Sequence, residues 1–548
     1  MKKRMNMLPI CTALILAVSL LFSACGGAAD HAPKNGTSAG TQTPAATAAP
    51  QPPYAGGLVP PGNVIAEQQD VGEVDFAALN DGMSGESYLV IDENNDVATN
   101  AESMLTFSLK VDTAAYTNVS RYIGSGNLPP KDAVRTEELL NYFTYDGEMS
   151  FNGDSPFALY AELGPSPFDA DKLLAFVRVK SKDIDKDALP PSNLTFLIDT
   201  SGSMSSHDKL PLLQEAFSLL VDTLDEDDTV SIVTYAGNAG VLLDSVPGSD
   251  KDAILSAINS LYAGGSTAGA QGISTAYALA EKNYREGGNN RVILATDGDF
   301  NVGTSSTDEL AKLAAQKRGN GIYLSILGFG TGNIRDDIME TLSREGNGNY
   351  AYINSLQTAQ KVLVDELASN LFTIADDVKA QVEFNPENVK SYRLIGYENR
   401  RLENKDFTDD KKDAGEIGVG TDTIVLFELE LHDGAAGVTY KYGKADNATL
   451  DFTNELFELR IRYKDPGESA SKLLTLPTFF GDITNENSSD FRFASAVAAF
   501  SHLLRGSAYT GEATLLGTYA LAEGALGRDA GGYRVEFLRL LEAYERIR

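Results

Sequence analysis

Three short polar segments of this 548-residue chain carry side chains that suit a metal ion. The side chains are Asp199, Ser201 and Ser203 in DTSGS, Thr267 in GGSTAGAQG and Asp297 in TDGDFNVG. Two carboxylates and three hydroxyls form an oxygen-only set, which matches the ligand preference of Mg²⁺ or Mn²⁺. Two carboxylates only neutralise a dication. Such a site therefore keeps at least one coordination position for water or for the carboxylate of a partner.

The segments around these residues predict an α/β domain. LTFLI precedes Asp199 and VILA leads to Asp297, and both are continuous apolar runs typical of strands buried on both faces. Helical spacing, as in 209–224, separates the strand-like segments. Ligands of such a sheet bind beyond the carboxyl ends of its strands. We therefore expect one domain over 186–372 that gathers the five side chains at one edge of a largely parallel sheet.

The order Asp-Thr-Ser-Gly-Ser, a distant threonine and Thr-Asp-Gly resembles the von Willebrand factor type A domain. The five positions match the metal-ion-dependent adhesion site of that family. The resemblance implies a doubly wound, mostly parallel sheet. It also implies that Ser201, Ser203 and Thr267 ligate the metal and that Asp199 and Asp297 bind it directly or through water. An acidic residue of a partner commonly completes the coordination shell in that family.

The flanking segments are similar to those of a family of bacterial von Willebrand type A lipoproteins. The resemblance spans about 100–548 and rests on 106–145, 373–402, 412–420 and 490–507. It implies that the α/β domain is inserted between β-rich and helical regions. The predicted organisation is a signal peptide (1–24), a lipidated cysteine with a tether (25–62), an N-terminal flanking region (63–185), the type A domain (186–372), a β-rich region (373–480) and a helical region (481–548).

Strand-like alternation occurs on both sides of the central domain. The segments are 156–164 and 172–181 before it, and 377–384, 423–431 and 455–464 after it. We expect the strands from both sides to pair into one β-domain that carries the central domain as an insertion.

Helices are expected at both ends of the folded part. Two are predicted from about Thr113 and about Asp132, separated by Pro129 and Pro130, which remove amide donors and fix φ. Near the carboxyl end, apolar side chains recur at helical spacing and predict ordinary core packing. These are Phe493, Val497, Phe500 and Leu504.

The first 24 residues are predicted to be a targeting signal and not part of the folded protein. Three basic residues precede a short apolar stretch, as in a secretory signal peptide. LFSAC resembles a bacterial lipobox, with Phe22 where leucine is usual, and implies lipidation of Cys25. An ordinary signal peptide with a chance cysteine is one alternative. A retained transmembrane anchor is another, although the apolar stretch is shorter than the ~20 residues that a span requires. Residues 26–62 are too poor in large apolar side chains to fold, so we expect a tether to the cell membrane, outside the cytoplasm.

The amino-acid composition argues against several classes of partner and site. The chain has 77 acidic and 45 basic residues and a formal net charge of -32, which argues against nucleic acid as a partner because phosphate binding needs a basic face. Its two cysteines, Cys11 and Cys25, lie near the start, so the remainder has no disulfide framework. The four histidines lie far apart in sequence, which argues against a His-rich zinc site.

The leading hypothesis is a non-enzymatic binding module, a cell-surface lipoprotein that grips a protein or another acidic ligand through a divalent cation. One alternative is an envelope scaffold in which the metal only stabilises the loops. Another is a metal-assisted hydrolase, in which the ion activates water. The sequence places no evident general base beside the motif, since His207 reads as a solvated loop residue.

Overall fold

The computed structural model describes residues 85–548 except 111, 186–187, 237, 266–268, 299–306, 411, 413 and 433–453. The signal peptide, Cys25 and the tether lie outside the described residues, and so does Thr267. In this described part of the chain, no helix combines the length and the hydropathy that a membrane span requires.

The strands of the described chain are β1 (Val97–Ala98), β2 (Met104–Ser108), β3 (Phe157–Pro165), β4 (Leu173–Ser181), β5 (Ser192–Asp199), β6 (Thr229–Tyr235), β7 (Ala239–Pro247), β8 (Asn289–Thr296), β9 (Ile322–Phe329), β10 (Asn347–Ile353), β11 (Thr373–Phe384), β12 (Val389–Ile395), β13 (Arg401–Leu402), β14 (Ile417–Gly418), β15 (Asp422–Leu431), β16 (Glu455–Lys464) and β17 (Ser471–Phe479).

The α-helices are α1 (Ala114–Gly124), α2 (Thr136–Asn141), α3 (Leu210–Thr223), α4 (Lys251–Asn259), α5 (Gly269–Lys282), α6 (Thr307–Gly319), α7 (Asp336–Glu345), α8 (Leu356–Gln360), α9 (Leu367–Leu371), α10 (Ser489–Arg505), α11 (Leu515–Glu523) and α12 (Tyr533–Glu545). A π-helical turn, Lys361–Asp365, joins α8 to α9.

The central domain is a sheet in the order β10-β9-β8-β5-β6-β7, and its pairs are parallel except for the antiparallel edge pair β6–β7. The predicted doubly wound α/β fold is confirmed. All residues of β5 are buried, and they alternate between two cores. Phe196 and Ile198 pack in the core that contains Phe217 of α3, and Leu197 packs in the core that contains Tyr277 of α5. Helices thus cover both faces of the sheet.

Strands from before and after the central domain build one β-domain. One sheet has the order β1-β12-β15-β4-β3 and the other β13-β2-β11-β16-β17, with β14 on β11. In the first, β4 lies antiparallel to β15 with Val177 opposite Val425, and in the second, β2 lies antiparallel to β11 with Leu105 opposite Val382. The two sheets share one apolar core. The predicted pairing of strands across the insertion is confirmed.

The two end regions also share a core. Helices α1 and α2 pack with α10, α11 and α12 around one cluster of buried side chains. The predicted stripe is part of it, since Phe493, Val497 and Phe500 are fully buried and Leu504 is partly buried against them. The helices of the N-terminal flanking region and of the C-terminal region therefore pack around one core.

Several elements differ from the sequence prediction. Strands β7 and β17 were not predicted because they are edge strands whose side chains are mostly exposed. Strand β12 was missed because it buries Arg393, which pairs with Glu428.

The helix expected from about Asp132 begins instead at Thr136, after a short 3₁₀ turn. Arg135 keeps an extended backbone between them while its guanidinium enters a buried ion-pair network.

The buried imidazole of His502 makes a pH dependence testable. Burial, and then the positive charges of Arg393 and Arg505, lower the pKa of His502 to about 3. Its ordinary pKa is about 6.5. The folded protein therefore keeps a neutral imidazole while the unfolded chain protonates it, so stability is lost as the pH falls from about 6.5 towards 3.

We expect wild type to lose about 2 kcal/mol more unfolding free energy between pH 7.5 and pH 5 than His502→Gln does. Urea unfolding at the two pH values measures this difference, in which the other titrating groups cancel. His207→Gln is the control, since His207 is exposed, and it should behave as wild type. Equal pH dependence of wild type and His502→Gln would contradict the effect.

Candidate metal site

Asp199 ends the central strand β5 and is fully buried at the carboxyl edge of the sheet. Its Oδ1 accepts a hydrogen bond from the backbone N–H of Ser201 at 2.8 Å. Its Oδ2 accepts bonds from the Tyr235 hydroxyl at 3.1 Å and the Thr296 hydroxyl at 3.2 Å. The two hydroxyls come from the ends of the neighbouring strands β6 and β8. The carboxylate is therefore held in one orientation by three elements.

The two serines of the motif lie on a tight turn above Asp199. Ser201 is almost fully buried, Ser203 is half-buried in the 3₁₀ turn Gly202–Ser205, and their hydroxyl oxygens lie 2.9 Å apart. Gly202 and Ser205 are exposed. The turn thus places two hydroxyl oxygens next to a buried carboxylate, and its residues Gly202 and Ser205 reach solvent.

The loop that carries Thr267 is bonded to this turn. The N–H of Gly264 donates to the carbonyl of Thr200 at 2.8 Å, and the N–H of Gly202 donates to the carbonyl of Gly265 at 3.1 Å. Thr267 follows Gly265 by two positions but lies outside the described residues. These bonds bring the second loop against the first, as the sequence analysis expects, while the contribution of Thr267 stays a prediction.

Asp297 directly follows β8, which pairs with β5, so it stands at the same edge of the sheet. It is fully buried, and its Oδ2 accepts a hydrogen bond from the Lys209 ammonium at 2.8 Å. Gly298 follows with φ +98°, and a Cβ there would lie 2.4 Å from the carbonyl oxygen of Asn333. Only glycine permits this close approach of the two loops.

Sequence reasoning missed three residues of the site: Tyr235, Thr296 and Lys209. Tyr235 and Thr296 orient Asp199, and Lys209 pairs with Asp297. Thr296 adjoins Asp297, and that adjacency was the available signal. No sequence spacing links Lys209 to a residue 88 positions away.

A positive charge close to Asp199 and Asp297 would offset the repulsion between the two carboxylates. Burial raises the pKa of Asp199 to about 6, and the negative charge of Asp297 adds to the rise, against the lowering effect of the hydrogen bonds from Ser201 and Tyr235. Two carboxylates that repel each other in a buried place gain most from a positive charge between them. Beside them stand two hydroxyl oxygens. This donor set fits a hard divalent cation.

A metal at this site would depend on hydroxyl ligands. Among the residues that the structure describes, no group of three or more His, Cys, Asp or Glu side chains is arranged to hold a metal ion. Asp199 and Asp297 provide only two carboxylates, and His207, the histidine nearest in sequence, is exposed. The side chains of this site can therefore fill only part of the coordination shell of a cation. The remaining positions would be open to another oxygen ligand.

An aromatic side chain lies near the site. Tyr262 is 81% exposed and belongs to the segment that leads into Gly264 and Gly265. Its ring comes within 4.0 Å of where a Cβ on Gly264 would lie. Exposed tyrosines are enriched at protein interfaces because they add much contact area at little loss of conformational entropy.

The α/β sheet with the acidic and hydroxyl-bearing turn at its edge is that of a von Willebrand factor type A domain. The model of that family matches residues 193–366. Residues 82–175 match a model described as von Willebrand factor, and residues 369–547 match one described as "Uncharacterized protein YfbK, C-terminal". The chain belongs to the family of the uncharacterized protein YfbK of Escherichia coli (strain K12). The two are 44% identical over 463 residues, which cover 83% of this chain and 80% of YfbK.

Other relatives are more distant. The inter-alpha-trypsin inhibitor heavy chain H3 of Mus musculus is 27% identical over 210 residues, which cover 36% of this chain and 23% of that protein. Among solved structures, von Willebrand factor type A from Catenulispora acidiphila is 16% identical and covers 72% of this chain and 91% of its own, with a TM-score of 0.42. Type A domains commonly mediate protein–protein interaction, and the domain indicates such a role for this chain.

Proposed function

We propose that this chain is a lipid-anchored protein of the cell surface that binds a protein or another acidic ligand through a divalent cation. Asp199, Ser201, Ser203, Thr267 and Asp297 would hold Mg²⁺ or Mn²⁺, and Cys25 would carry the anchor outside the cytoplasm. When bound, the ion supplies a positive centre that attracts a carboxylate oxygen. The proposal does not include catalysis.

One observation carries this proposal: two buried carboxylates lie at one sheet edge, beside a pair of hydroxyl oxygens 2.9 Å apart on a turn that reaches solvent. A dication there would be neutralised by Asp199 and Asp297, with the serine hydroxyls as neutral ligands. It would keep attraction for a third carboxylate, because hard divalent ions take six or more oxygen ligands. Tyr262 would add an aromatic contact with the partner next to the ion.

The first test is a calorimetric titration of the full chain with MgCl₂ and with MnCl₂. Asp199→Ala should weaken binding by more than about tenfold, since even partners that only orient metal ligands change affinity by roughly 10–100-fold. Asp244→Ala is the matched control, because Asp244 is an exposed carboxylate in the same domain, and it should bind as wild type. Equal affinity of wild type and Asp199→Ala would remove the proposed site.

Capture of a partner on intact cells distinguishes a metal that binds the partner from a metal that only stabilises the loops. Crosslinking of wild type in Mg²⁺ should capture a partner. The partner should not be captured after chelation, nor by Asp199→Ala in Mg²⁺. The hydrogen bonds between the Ser201 turn and the 264–265 loop favour the scaffold as the second candidate, because an ion could serve only to hold these loops together. In that case chelation would lower the unfolding temperature and leave capture unchanged.

A further inference from the structure

Lys209 is a buried cation inside the candidate metal site, although it is not one of the five residues of the sequence motif. It is 7% exposed, and its ammonium lies 2.8 Å from Oδ2 of the fully buried Asp297. A buried ion pair costs desolvation of both groups, and removal of one partner leaves the other charge uncompensated. Lys209 therefore supplies a positive charge beside the side chain of Asp297 in this buried place.

The loop after β9 is shaped around the stem of this lysine. Gly330 has φ +76°, a conformation that favours glycine. A Cβ at Gly330 would lie 2.2 Å from Cγ and 2.3 Å from Cε of Lys209, so any larger residue would collide with the stem. The stem of the lysine thus packs closely against Gly330, and its ammonium reaches Asp297.

We propose that Lys209 is the resident counter-cation of the metal site. It neutralises Asp297 when no divalent ion is bound and competes with that ion for the same carboxylate. This inference rests on the proposed function, because it requires that the site bind a metal. A fixed positive charge near a dication weakens its binding, so Lys209 sets the affinity of the site below what its oxygen ligands alone would give.

The test compares wild type with Lys209→Met, which keeps the length of the stem and removes the charge. In the titration of the full chain with MgCl₂, the variant should bind roughly tenfold more tightly, as expected for removal of one positive charge near the ion. In chelator its unfolding temperature should be lower than that of wild type, and Mg²⁺ should raise it more. Lys251→Met is the control: its ammonium caps carbonyls at the end of α3, so its loss changes stability without changing Mg²⁺ affinity.

A double variant keeps the test decisive if Lys209→Met does not fold in chelator. Lys209→Met with Asp297→Asn removes both charges and should fold in chelator, because replacement of both partners leaves no unpaired ion. Failure of the double variant to fold would overturn the counter-cation role. Mg²⁺ binding by wild type that is equal to or tighter than that of Lys209→Met would overturn it too, while leaving the metal site intact. If neither protein binds Mg²⁺, the proposed function itself fails.

Discussion

Arg135→Ala is expected to lower the free energy of unfolding by about 3–5 kcal/mol, the usual cost of breaking a buried ion pair. The Arg135 guanidinium lies 2.5 Å from Oε1 of Glu138 and 2.6 Å from Oδ2 of Asp336, and the three side chains are at most 2% exposed. Asp336 begins α7 of the central domain, whereas Arg135 and Glu138 belong to the N-terminal flanking region. The arginine therefore joins two parts of the fold.

The loss of unfolding free energy in Arg135→Ala should depend on pH. Burial already raises the pKa of Glu138 to about 7, against the lowering effect of Arg135, and burial raises the pKa of Asp336. Without the arginine, both carboxyls would have folded pKa values further above their unfolded values. Stability would then be lost as the pH rises above the unfolded pKa of about 4 towards the folded pKa. The deficit of Arg135→Ala should therefore be larger at pH 8 than at pH 5.5.

Urea unfolding of the full chain at both pH values measures this effect. Arg528→Ala is the control, because that arginine is 77% exposed and lies 3.6 Å from Asp146, and surface pairs contribute at most about 1 kcal/mol. A loss below 1 kcal/mol in Arg135→Ala would show that Glu138 and Asp336 do not need the arginine in the folded state.

Phe537→Ala is expected to destabilise the protein by about 3–5 kcal/mol, the range for phenylalanine truncations in a close-packed core. Phe537 on α12 is fully buried, and its ring centroid lies 5.6 Å from those of Phe143, Phe493 and Phe500. All three contacts are edge-to-face. Phe143 comes from the segment before the α/β domain, so the truncation weakens the joint between the two ends of the folded chain.

Leu516→Ala provides the comparison, since Leu516 is 82% exposed on α11 and its truncation should change stability by less than about 0.5 kcal/mol. Both variants can be measured by urea unfolding with tyrosine fluorescence or circular dichroism. Similar small losses in both would show that α12 is not essential to the shared helical core.

The sequence predicted the elements whose pattern is local. The apolar run before Asp199 gave β5, and helical spacing gave α3 and α10. Edge strands were not predicted where most of their side chains are exposed and the alternation is therefore weak, as in β7. The predicted start of the second helix at Asp132 was wrong. Arg135 has an extended backbone, and its guanidinium pairs with Asp336, 201 positions away, which no local spacing reports.

By itself, the sequence determined the α/β pattern, the acidic and hydroxyl-bearing motif and the order of the regions, because each depends on residue types within a short window. Only the tertiary structure decided that β4 pairs with β15 and that the first and last helices share a core. Only the tertiary structure also showed that the Lys209 ammonium bonds to Asp297 and that the hydroxyls of Tyr235 and Thr296 donate to Asp199. These contacts join residues far apart in the chain, and their energies depend on burial that no local spacing reports.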